Sequence, residues 1–310
     1  MALYVLGSTT TGYIVADDTS SYLVRDGYYI GHTGSAIFAS GSSTNNDYTI
    51  DGYVIGGPNS NGIYLTGKNG GLLGINSIHV GTSGMITAGR GIYATQERLM
   101  ITNQGTISGD QYDGIYHSAL DDSVDHRVVN LGLITGYHDG IEFDANYVVI
   151  ENSGTISGRY SAIDVGGHST LINSGTVSSG TSRAFYSYGE ENLIHNSGNM
   201  VSAQSDAIVL SGSYNDIVNT STGTIQTSQQ NTDHGIYIYA GTSNTLTNDG
   251  VISAGGLGVF FNRPTSGYGE HTLVNSGTIT SNSSTAVDIN GGAALITNTG
   301  LIRSFNGNGI

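Results

Sequence analysis

Two acidic residues, Glu142 and Asp164, occupy the same place in consecutive copies of a short sequence pattern. Each stands two positions after a small residue that is followed by isoleucine. If the copies form adjacent parallel strands, the backbones of the two residues lie about 5 Å apart, which is the lateral spacing of strands. Like charges this close would raise the pKa of one carboxyl group or hold a cation. A carboxylate pair at this separation also resembles a retaining glycosidase site.

Three other charged residues, Asp113, Asp139 and Arg183, stand just before the same pattern in nearby copies. Acids around a cation with a base beside them suit a metal-assisted lyase. If the protein is an enzyme, we expect its catalytic residues to be Glu142, Asp164, Asp139 and Arg183. If a cation binds, we expect calcium, with Asp113, Asp139, Glu142 and Asp164 as ligands. The structural alternative is that these acids simply point into water.

A zinc site is not expected. The chain has no Cys, and its nine His residues form no HxH or HExxH motif.

The position held by Glu142 and Asp164 is mostly aromatic in the other copies. If strand alternation holds, these side chains form an exposed aromatic stripe, whose members are Phe38, Tyr64, Tyr93, Tyr116, Tyr186, Tyr237 and Phe260. Flat rings suit the apolar faces of sugars, so we expect Tyr93, Tyr116, Tyr186 and Tyr237 to contact a glycan. The alternative is structural, because Tyr and Phe are favourable on the outer face of a strand, where stacked rings stabilise the sheet.

An acidic connection gives a second candidate surface. Residues 117–127 read HSALDDSVDHR. Connections that lengthen single copies of a repeat lie on the surface and often carry function. We therefore expect His117, Asp121, Asp122 and Asp125 to contribute to ligand binding.

The elements that must position these residues form an internal repeat. The motif Asn-x-Gly-x-Ile, seen as NSGTISG at 152–158, recurs along the chain. Its asparagines are Asn103, Asn130, Asn152, Asn173, Asn196, Asn248, Asn275 and Asn298, and Asn219 takes the same role with two extra residues before Gly223. With looser copies upstream, the sequence holds about 12 units, most of 21–27 residues.

Such a unit contains short alternating strands and cannot bury its apolar face alone, so it must stack on copies of itself. The composition agrees with an all-β protein, since there are 48 Gly, no Cys and no Trp, and only 11% of residues are charged. The repeat predicts a right-handed parallel β-helix (β-solenoid) with two or three strands per turn. Residues 1–21 are expected to form an N-terminal cap, and residues 22–310 a repeat domain truncated at its C-terminal end.

The motif itself has a physical interpretation. Ile156 is predicted to point into the core, with Thr155 and Ser157 outward. Gly154 is expected to supply a backbone conformation that a Cβ would oppose. The asparagines are expected to form a structural ladder, each amide donating to the next at the strand spacing of about 4.8 Å. The outward hydroxyls could template ice, but Leu133 interrupts their row.

The Asn-x-Gly-x-Ile units, the strands that begin with Gly or Ala and Ile, and the scarcity of Lys resemble the β-helical repeats of secreted bacterial adhesins. That family comprises autotransporter passenger domains and type I-secreted surface proteins. The resemblance covers residues 22–310 and implies an extracellular or cell-surface β-helix. It carries no catalytic residues.

Charge and hydropathy limit the partners. The formal net charge of −15 disfavours nucleic acid because phosphates would be repelled. No apolar run is long enough to insert into a membrane. Polysaccharides, surface glycans and self-association through the ends of the solenoid remain as expected partners.

Two functions of different classes follow. The first is a secreted or cell-surface structural or adhesive solenoid that contacts glycans or proteins through its lateral face. The alternative is a polysaccharide-active enzyme (a lyase, epimerase, hydrolase or tailspike-like depolymerase) on the same fold.

Overall fold

The computed structural model describes residues 2–15, 19–40, 45–66, 74–95, 98–118, 125–228, 232–262, 270–290 and 293–310. Within these ranges every regular element is a β-strand and none is a helix. The chain forms two compact units, Met1–Gly158 and Arg159–Ile310, hereafter the N-terminal and C-terminal units.

The described strands of the N-terminal unit are β1 (Leu3–Leu6), β2 (Tyr13–Val15), β3 (Ser21–Val24), β4 (Tyr29–Gly31), β5 (Ile37–Ala39), β6 (Asp47–Ile50), β7 (Tyr53–Ile55), β8 (Asn61–Thr66), β9 (Ile75–Val80), β10 (Met85–Ala88), β11 (Arg90–Thr95), β12 (Arg98–Asn103), β13 (Thr106–Gly109), β14 (Ile115–His117), β15 (His126–Asn130), β16 (Leu133–Gly136), β17 (Ile141–Phe143), β18 (Val148–Asn152) and β19 (Thr155–Gly158).

Those of the C-terminal unit are β20 (Ile163–Val165), β21 (Thr170–Asn173), β22 (Thr176–Ser179), β23 (Phe185–Ser187), β24 (Leu193–Asn196), β25 (Asn199–Ser202), β26 (Ile208–Ser211), β27 (Asp216–Asn219), β28 (Thr224–Thr227), β29 (Ile236–Tyr239), β30 (Thr245–Asn248), β31 (Val251–Ala254), β32 (Val259–Phe261), β33 (Glu270–Asn275), β34 (Thr278–Ser281), β35 (Val287–Ile289), β36 (Ala293–Asn298) and β37 (Leu301–Ser304).

Each unit contains three parallel sheets, and each turn of the chain adds one strand to every sheet. In the N-terminal unit, sheet A holds β1, β3, β6, β9, β12, β15 and β18, sheet B holds β4, β7, β10, β13, β16 and β19, and sheet C holds β2, β5, β8, β11, β14 and β17. In the C-terminal unit, sheet A holds β21, β24, β27, β30, β33 and β36, sheet B holds β22, β25, β28, β31, β34 and β37, and sheet C holds β20, β23, β26, β29, β32 and β35.

This arrangement confirms the predicted all-β parallel solenoid, with three strands in a turn and about 11 turns among the described residues. Residues before Ser21 contribute β1 and β2, which pair in parallel with β3 and β5.

The core consists mainly of aliphatic columns, one residue from each turn. Ile156 is fully buried at the middle of β19, while Thr155 and Ser157 beside it are half-buried, as predicted. The equivalent residues of sheet B are also buried, and they include Ile107, Ile134 and, in the C-terminal unit, Ile225. Burial of each such side chain stabilises the fold by about 1.5–3 kcal/mol.

The motif asparagines lie at the corner between sheets A and B, all of them buried except Asn298, and their amides bond to one another. In the N-terminal unit the Nδ2 of Asn103 donates to the Oδ1 of Asn130 at 2.8 Å, and Asn130 donates to Asn152 at 2.8 Å. In the C-terminal unit the same bonds, at 2.7–2.8 Å, join Asn173, Asn196, Asn219, Asn248, Asn275 and Asn298 in succession.

Most of these amides also donate to the carbonyl of the motif glycine, as Asn196 does to Gly198 at 3.1 Å. The motif asparagine row therefore satisfies most of its side-chain groups and the turn carbonyls, with the Oδ1 of Asn103 the exception among the described residues.

The motif glycines are required for a reason other than the predicted one. Gly154 is not among the described glycines with positive φ, which are Gly12, Gly27, Gly212 and Gly241. A Cβ on Gly154 would instead lie 2.1 Å from the carbonyl oxygen of Gly132 on the adjacent turn. The expectation of a special backbone conformation is therefore wrong, and close approach of neighbouring backbones explains the glycine.

A second asparagine row, missed in the sequence, lies four residues before the motif row, at the start of sheet A. Its members accept from the backbone of the preceding turn, as when Asn192 N donates to the Oδ1 of Asn215 at 3.0 Å. Asn215 N donates likewise to Asn244 at 2.9 Å. In the N-terminal unit His126 takes the same role, its Nδ1 accepting from Leu99 N at 3.2 Å.

The residue before each member of this second row has a left-handed backbone conformation in many turns. Non-glycine residues with φ between 53° and 59° precede it at Thr19, Asn45, Tyr147, His168, Glu191, Tyr214 and Ser243. For an L-residue this conformation costs about 1–2 kcal/mol. The amide-to-backbone bonds of the adjacent position help to offset that cost.

Replacing Asn196 by Ala tests the motif row. The change removes the bond that the Nδ2 of Asn173 donates to the next amide and takes the amide donor from the Oδ1 of Asn219, both in a buried corner. We expect the unfolding free energy to fall by about 2 kcal/mol, the usual cost of unsatisfied buried groups. Urea unfolding monitored by circular dichroism measures it. Asn199→Ala, at an exposed side chain nearby, is the control and should change stability by less than about 0.5 kcal/mol; equal losses in both variants would contradict a specific role for the row.

His271 tests how a titratable side chain behaves in the second row. It is 1% exposed and its ring stacks on Phe261 with centroids 4.7 Å apart. Burial lowers its pKa below the ordinary value, so the unfolded chain binds more protons than the folded chain under acidic conditions. Stability is therefore fully present above about pH 6.5 and is lost as the pH falls below that value.

His271→Asn, which installs the residue used elsewhere in this row, should flatten the pH dependence of the melting temperature between pH 7.5 and pH 5. His195→Asn, at an exposed position of β24, should leave the pH dependence unchanged. An identical pH slope in wild type and His271→Asn would refute the assignment.

Candidate functional site

The aromatic stripe of the N-terminal unit is a stack of rings along sheet C. Phe38 lies next to Tyr64 with ring centroids 5.3 Å apart, Tyr64 next to Tyr93 at 4.9 Å, and Tyr93 next to Tyr116 at 5.3 Å. The last two pairs are nearly parallel, with interplanar angles of 3° and 10°. Both faces of the Tyr93 ring are therefore covered by other rings. A sugar ring therefore has no room to stack on the faces of these inner rings, although the ring edges and hydroxyls stay accessible.

The hydroxyls of the stripe bond to the following turn. Tyr93 Oη lies 3.1 Å from Ser118 Oγ, and Tyr116 donates to the Oδ2 of Asp144 at 2.9 Å. The pKa of Tyr116 is raised, first by burial and then by this bond to Asp144. The hydroxyl of Tyr116 is thus a hydrogen-bond donor at any physiological pH.

Arg90 binds the stripe to the acidic residues beside it. Its guanidinium lies over the rings of Tyr93, Tyr112 and Tyr116, with the carbon 4.5–5.2 Å from their centroids. Its Nε donates to the Oδ2 of Asp113 at 2.9 Å, and the Asp113 side chain is only 2% exposed. Cation–π contact and a buried ion pair therefore act on one side chain.

Three of the acids predicted as calcium ligands lie together in this unit. Carboxylate oxygens of Asp113, Asp139 and Glu142 lie within 4.8 Å of one another. However, Asp113 accepts from Arg90 through Oδ2 and from the backbone N of Asp139 through Oδ1, at 3.3 Å. Calcium takes six to eight oxygen ligands, and an aspartate already bonded through both oxygens is a poor one. Calcium binding stays a prediction.

The C-terminal unit carries a related cluster. The guanidinium of Arg183 lies over the ring of Tyr186 at 4.6 Å, and the Arg183 Nε is buried without a hydrogen-bond partner among the described residues. Tyr186 shares a hydrogen bond with Tyr239. Burial first, and then this bond, raises the pKa of Tyr186 to about 12.

Asp206 follows Arg183 by one turn and caps a backbone N–H as Asp113 does. Its Oδ1 accepts from the backbone N of His234 at 2.6 Å. Burial raises the pKa of Asp206, while that bond and the charge of Arg183 oppose the increase. Nearby, Tyr237 stacks on Phe260 with centroids 5.1 Å apart and its Oη accepts from Asn262.

Both units therefore hold an arginine followed one turn later by a carboxylate that caps the next backbone N–H. The signal was present in the sequence, because Arg90, Asp113, Arg183 and Asp206 all stand directly before the small residue that opens the sheet C strand. Sequence reasoning used Asp113 and Arg183 but missed Arg90 and Asp206.

Glu142 and Asp164 belong to different units. Glu142 is half-buried in β17, in register with Tyr116. Asp164 is half-buried in β20, in register with Tyr186. Their expected proximity stays a prediction.

The acidic connection is only partly described. Asp121 and Asp122 lie outside the described residues, and Asp125 is exposed. His117 is 1% exposed inside the core, where its ring stacks on Phe143 at 5.4 Å and lies 4.2 Å from that of His126. In this position His117 is not presented to a ligand at the surface. Strand alternation explains it, since Tyr116 points outward.

Comparisons of the chain with protein-family models, with curated proteins and with solved structures find no match. Within the described part of the chain there is no helix with the length and hydropathy needed to cross a bilayer.

Arg90→Leu tests the ion pair at the stripe. The change leaves the buried carboxylate of Asp113 without its charged partner. Removal of one partner of a buried ion pair costs about 3–5 kcal/mol. Because Arg90 is 21% exposed, we expect the lower end, about 3 kcal/mol, in urea unfolding. Addition of Asp113→Asn should recover part of the loss.

Arg127→Leu is the matched control, because it breaks an exposed pair with Glu151. It should cost less than about 1 kcal/mol. Equal costs for Arg90→Leu and Arg127→Leu would show that burial of Asp113 has no consequence.

Proposed function

We propose that this protein is a non-enzymatic structural or adhesive β-solenoid, secreted or displayed at a cell surface. It contacts glycans or proteins through the lateral face formed by sheet C. The observation that carries the proposal is that the candidate side chains bond to, or stack on, residues of neighbouring turns. Arg90 forms an ion pair with Asp113, and Tyr116 donates a hydrogen bond to Asp144. The rings of Tyr93 and Tyr116 stack face to face.

A catalytic site needs a nucleophile or base, an acid and a place where the reacting atom can lie within reach of both. Side chains that serve as caps and stacking partners are less free to fulfil those roles. The stripe instead offers a repeated row of ring edges and hydroxyls, which suits an extended ligand. The resemblance of the repeat to adhesin β-helices supports surface display.

The high negative charge also fits an exposed protein that stays soluble. It favours neutral glycans or basic protein surfaces over acidic polymers, which would be repelled at low ionic strength.

The alternative is a polysaccharide-active enzyme, a lyase, epimerase, hydrolase or depolymerase. The proximity of Asp113, Asp139 and Glu142 is the observation that favours it. If the protein is such an enzyme, Glu142, Asp164, Asp139 and Arg183 are its catalytic residues, and calcium neutralises the acids.

The two functions are separated by assaying the full chain against neutral and acidic polysaccharides, with and without calcium, and on a glycan array. We expect binding without release of reducing ends or unsaturated products, and no loss of binding on calcium removal. Glu142→Gln and Asp164→Asn test the carboxylates, and Asp216→Asn, at an exposed acid of β27, is the control. Turnover that disappears in the first two variants and persists in the control would overturn the proposal.

A further inference from the structure

The aromatic stack of the N-terminal unit ends at Phe38. The next position toward the start of the chain is Ile14 of β2, in register with Phe38 and 72% exposed. A groove of about 420 Å³ opens beside this step, and its lining includes Thr11, Ile14, His32, Ser35, Phe38 and Tyr64. Small-molecule sites typically occupy about 300–1,000 Å³.

The groove has an aromatic floor that differs from the rest of the stripe. Inner rings of the stack are nearly parallel, but Phe38 is inclined by 38° to Tyr64. Phe38 also has a ring neighbour on only one side along its register, because Ile14 is aliphatic. A flat ligand ring can therefore contact Phe38 in a way that the enclosed Tyr93 forbids.

The polar groups of the groove can donate and accept hydrogen bonds. The Nδ1 of His32 accepts from the backbone N of Gly34 at 3.1 Å, so in the neutral imidazole Nε2 carries the proton and can donate. Ser35 Oγ shares hydrogen bonds with Ser60 and Asn61 at 3.0 and 3.3 Å.

Gly12 holds the facing segment close. Its φ is +72°, and a Cβ there would lie 3.2 Å from the His32 ring. The loop that carries Thr11 and Gly12 is therefore packed against His32, which limits the rotation of the imidazole.

We propose that this groove binds one ring of a neutral saccharide, with the apolar sugar face on Phe38 and sugar hydroxyls bonded to His32, Ser35 and Thr11. The inference rests on the proposed glycan contact and locates it at the end of the stack. A protein aromatic side chain would fill the floor but would bring fewer hydroxyls than a sugar for His32, Ser35 and Thr11 to bond. An acidic sugar would find no Lys or Arg among the described lining residues and would meet the negative field of the protein.

The test uses saturation-transfer NMR and titration of the full chain with methyl glycosides of glucose, galactose, mannose and N-acetylglucosamine, and with glucuronate as the charged comparison. We expect transfer to ring protons of a neutral glycoside and none to glucuronate. Phe38→Leu should weaken binding about tenfold, the equivalent of about 1.4 kcal/mol. The double variant Phe38→Leu with His32→Ala should bind the glycoside more weakly than Phe38→Leu alone.

Tyr53→Leu is the matched control, because Tyr53 is an exposed ring in β7 of sheet B and does not line the groove. It should leave the dissociation constant within about twofold. Circular dichroism confirms that each variant is folded.

The outcomes separate this inference from the broader proposal. Binding that is equally strong in wild type and Phe38→Leu overturns the groove assignment but leaves lateral glycan contact standing. Preference for tyrosine-containing peptides over every neutral glycoside also overturns it, in favour of a protein partner. Absence of binding to all glycosides and to the glycan array overturns both.

Discussion

The hydrogen bond from one motif asparagine to the next is the interaction on which the rest of each unit depends. An amide side chain carries a donor and an acceptor, so a stack of identical amides can bond to itself indefinitely, whereas a stack of carboxylates would repel. Between Asn196 and Asn219 this bond lies in a corner that excludes solvent. Sliding one turn by a single residue would expose the amide and turn the buried isoleucine of sheet B outward. The corner therefore holds the register of every column, including the columns that carry the candidate site.

The same stacking of like on like determines what the surface can recognise. Tyr64, Tyr93 and Tyr116 are held one strand spacing apart, so each covers the face of its neighbour. Rings arranged in this way stabilise the sheet and offer only their edges. A partner that needs a ring face must find the place where the aromatic column changes to another residue type, and Phe38 beside Ile14 is such a place. The requirement that keeps the fold regular thus concentrates recognition at irregular positions.

Much of the fold could be predicted because it repeats. Asn152, Gly154 and Ile156 recur at fixed spacing, and that spacing alone predicts stacked strands and an inward isoleucine. The role of Gly154 was misjudged because the repeat shows that a side chain is forbidden without showing whether φ or a neighbour forbids it. Asn215 was overlooked because its column is mixed, with Leu99 and His126 in equivalent turns. Glu191 and Tyr214 give no local signal for a left-handed backbone, since that conformation is imposed by the turn that leads into sheet A. At the candidate site, alternation would have placed His117 inside, but its acidic surroundings in the sequence favoured the loop.

The glycine corner also has a consequence for how such a chain evolves. Most motif turns present a glycine carbonyl to the glycine of the next turn, as between Gly132 and Gly154 or between Gly175 and Gly198. Because these junctions are interchangeable, a gene segment encoding one complete turn can be duplicated or deleted with its new neighbours already complementary. Length is then a readily varied trait, whereas a mutation to any larger residue at the junction disturbs two turns at once. Selection on such a lineage can lengthen or shorten the protein by whole turns far more easily than it can redesign one.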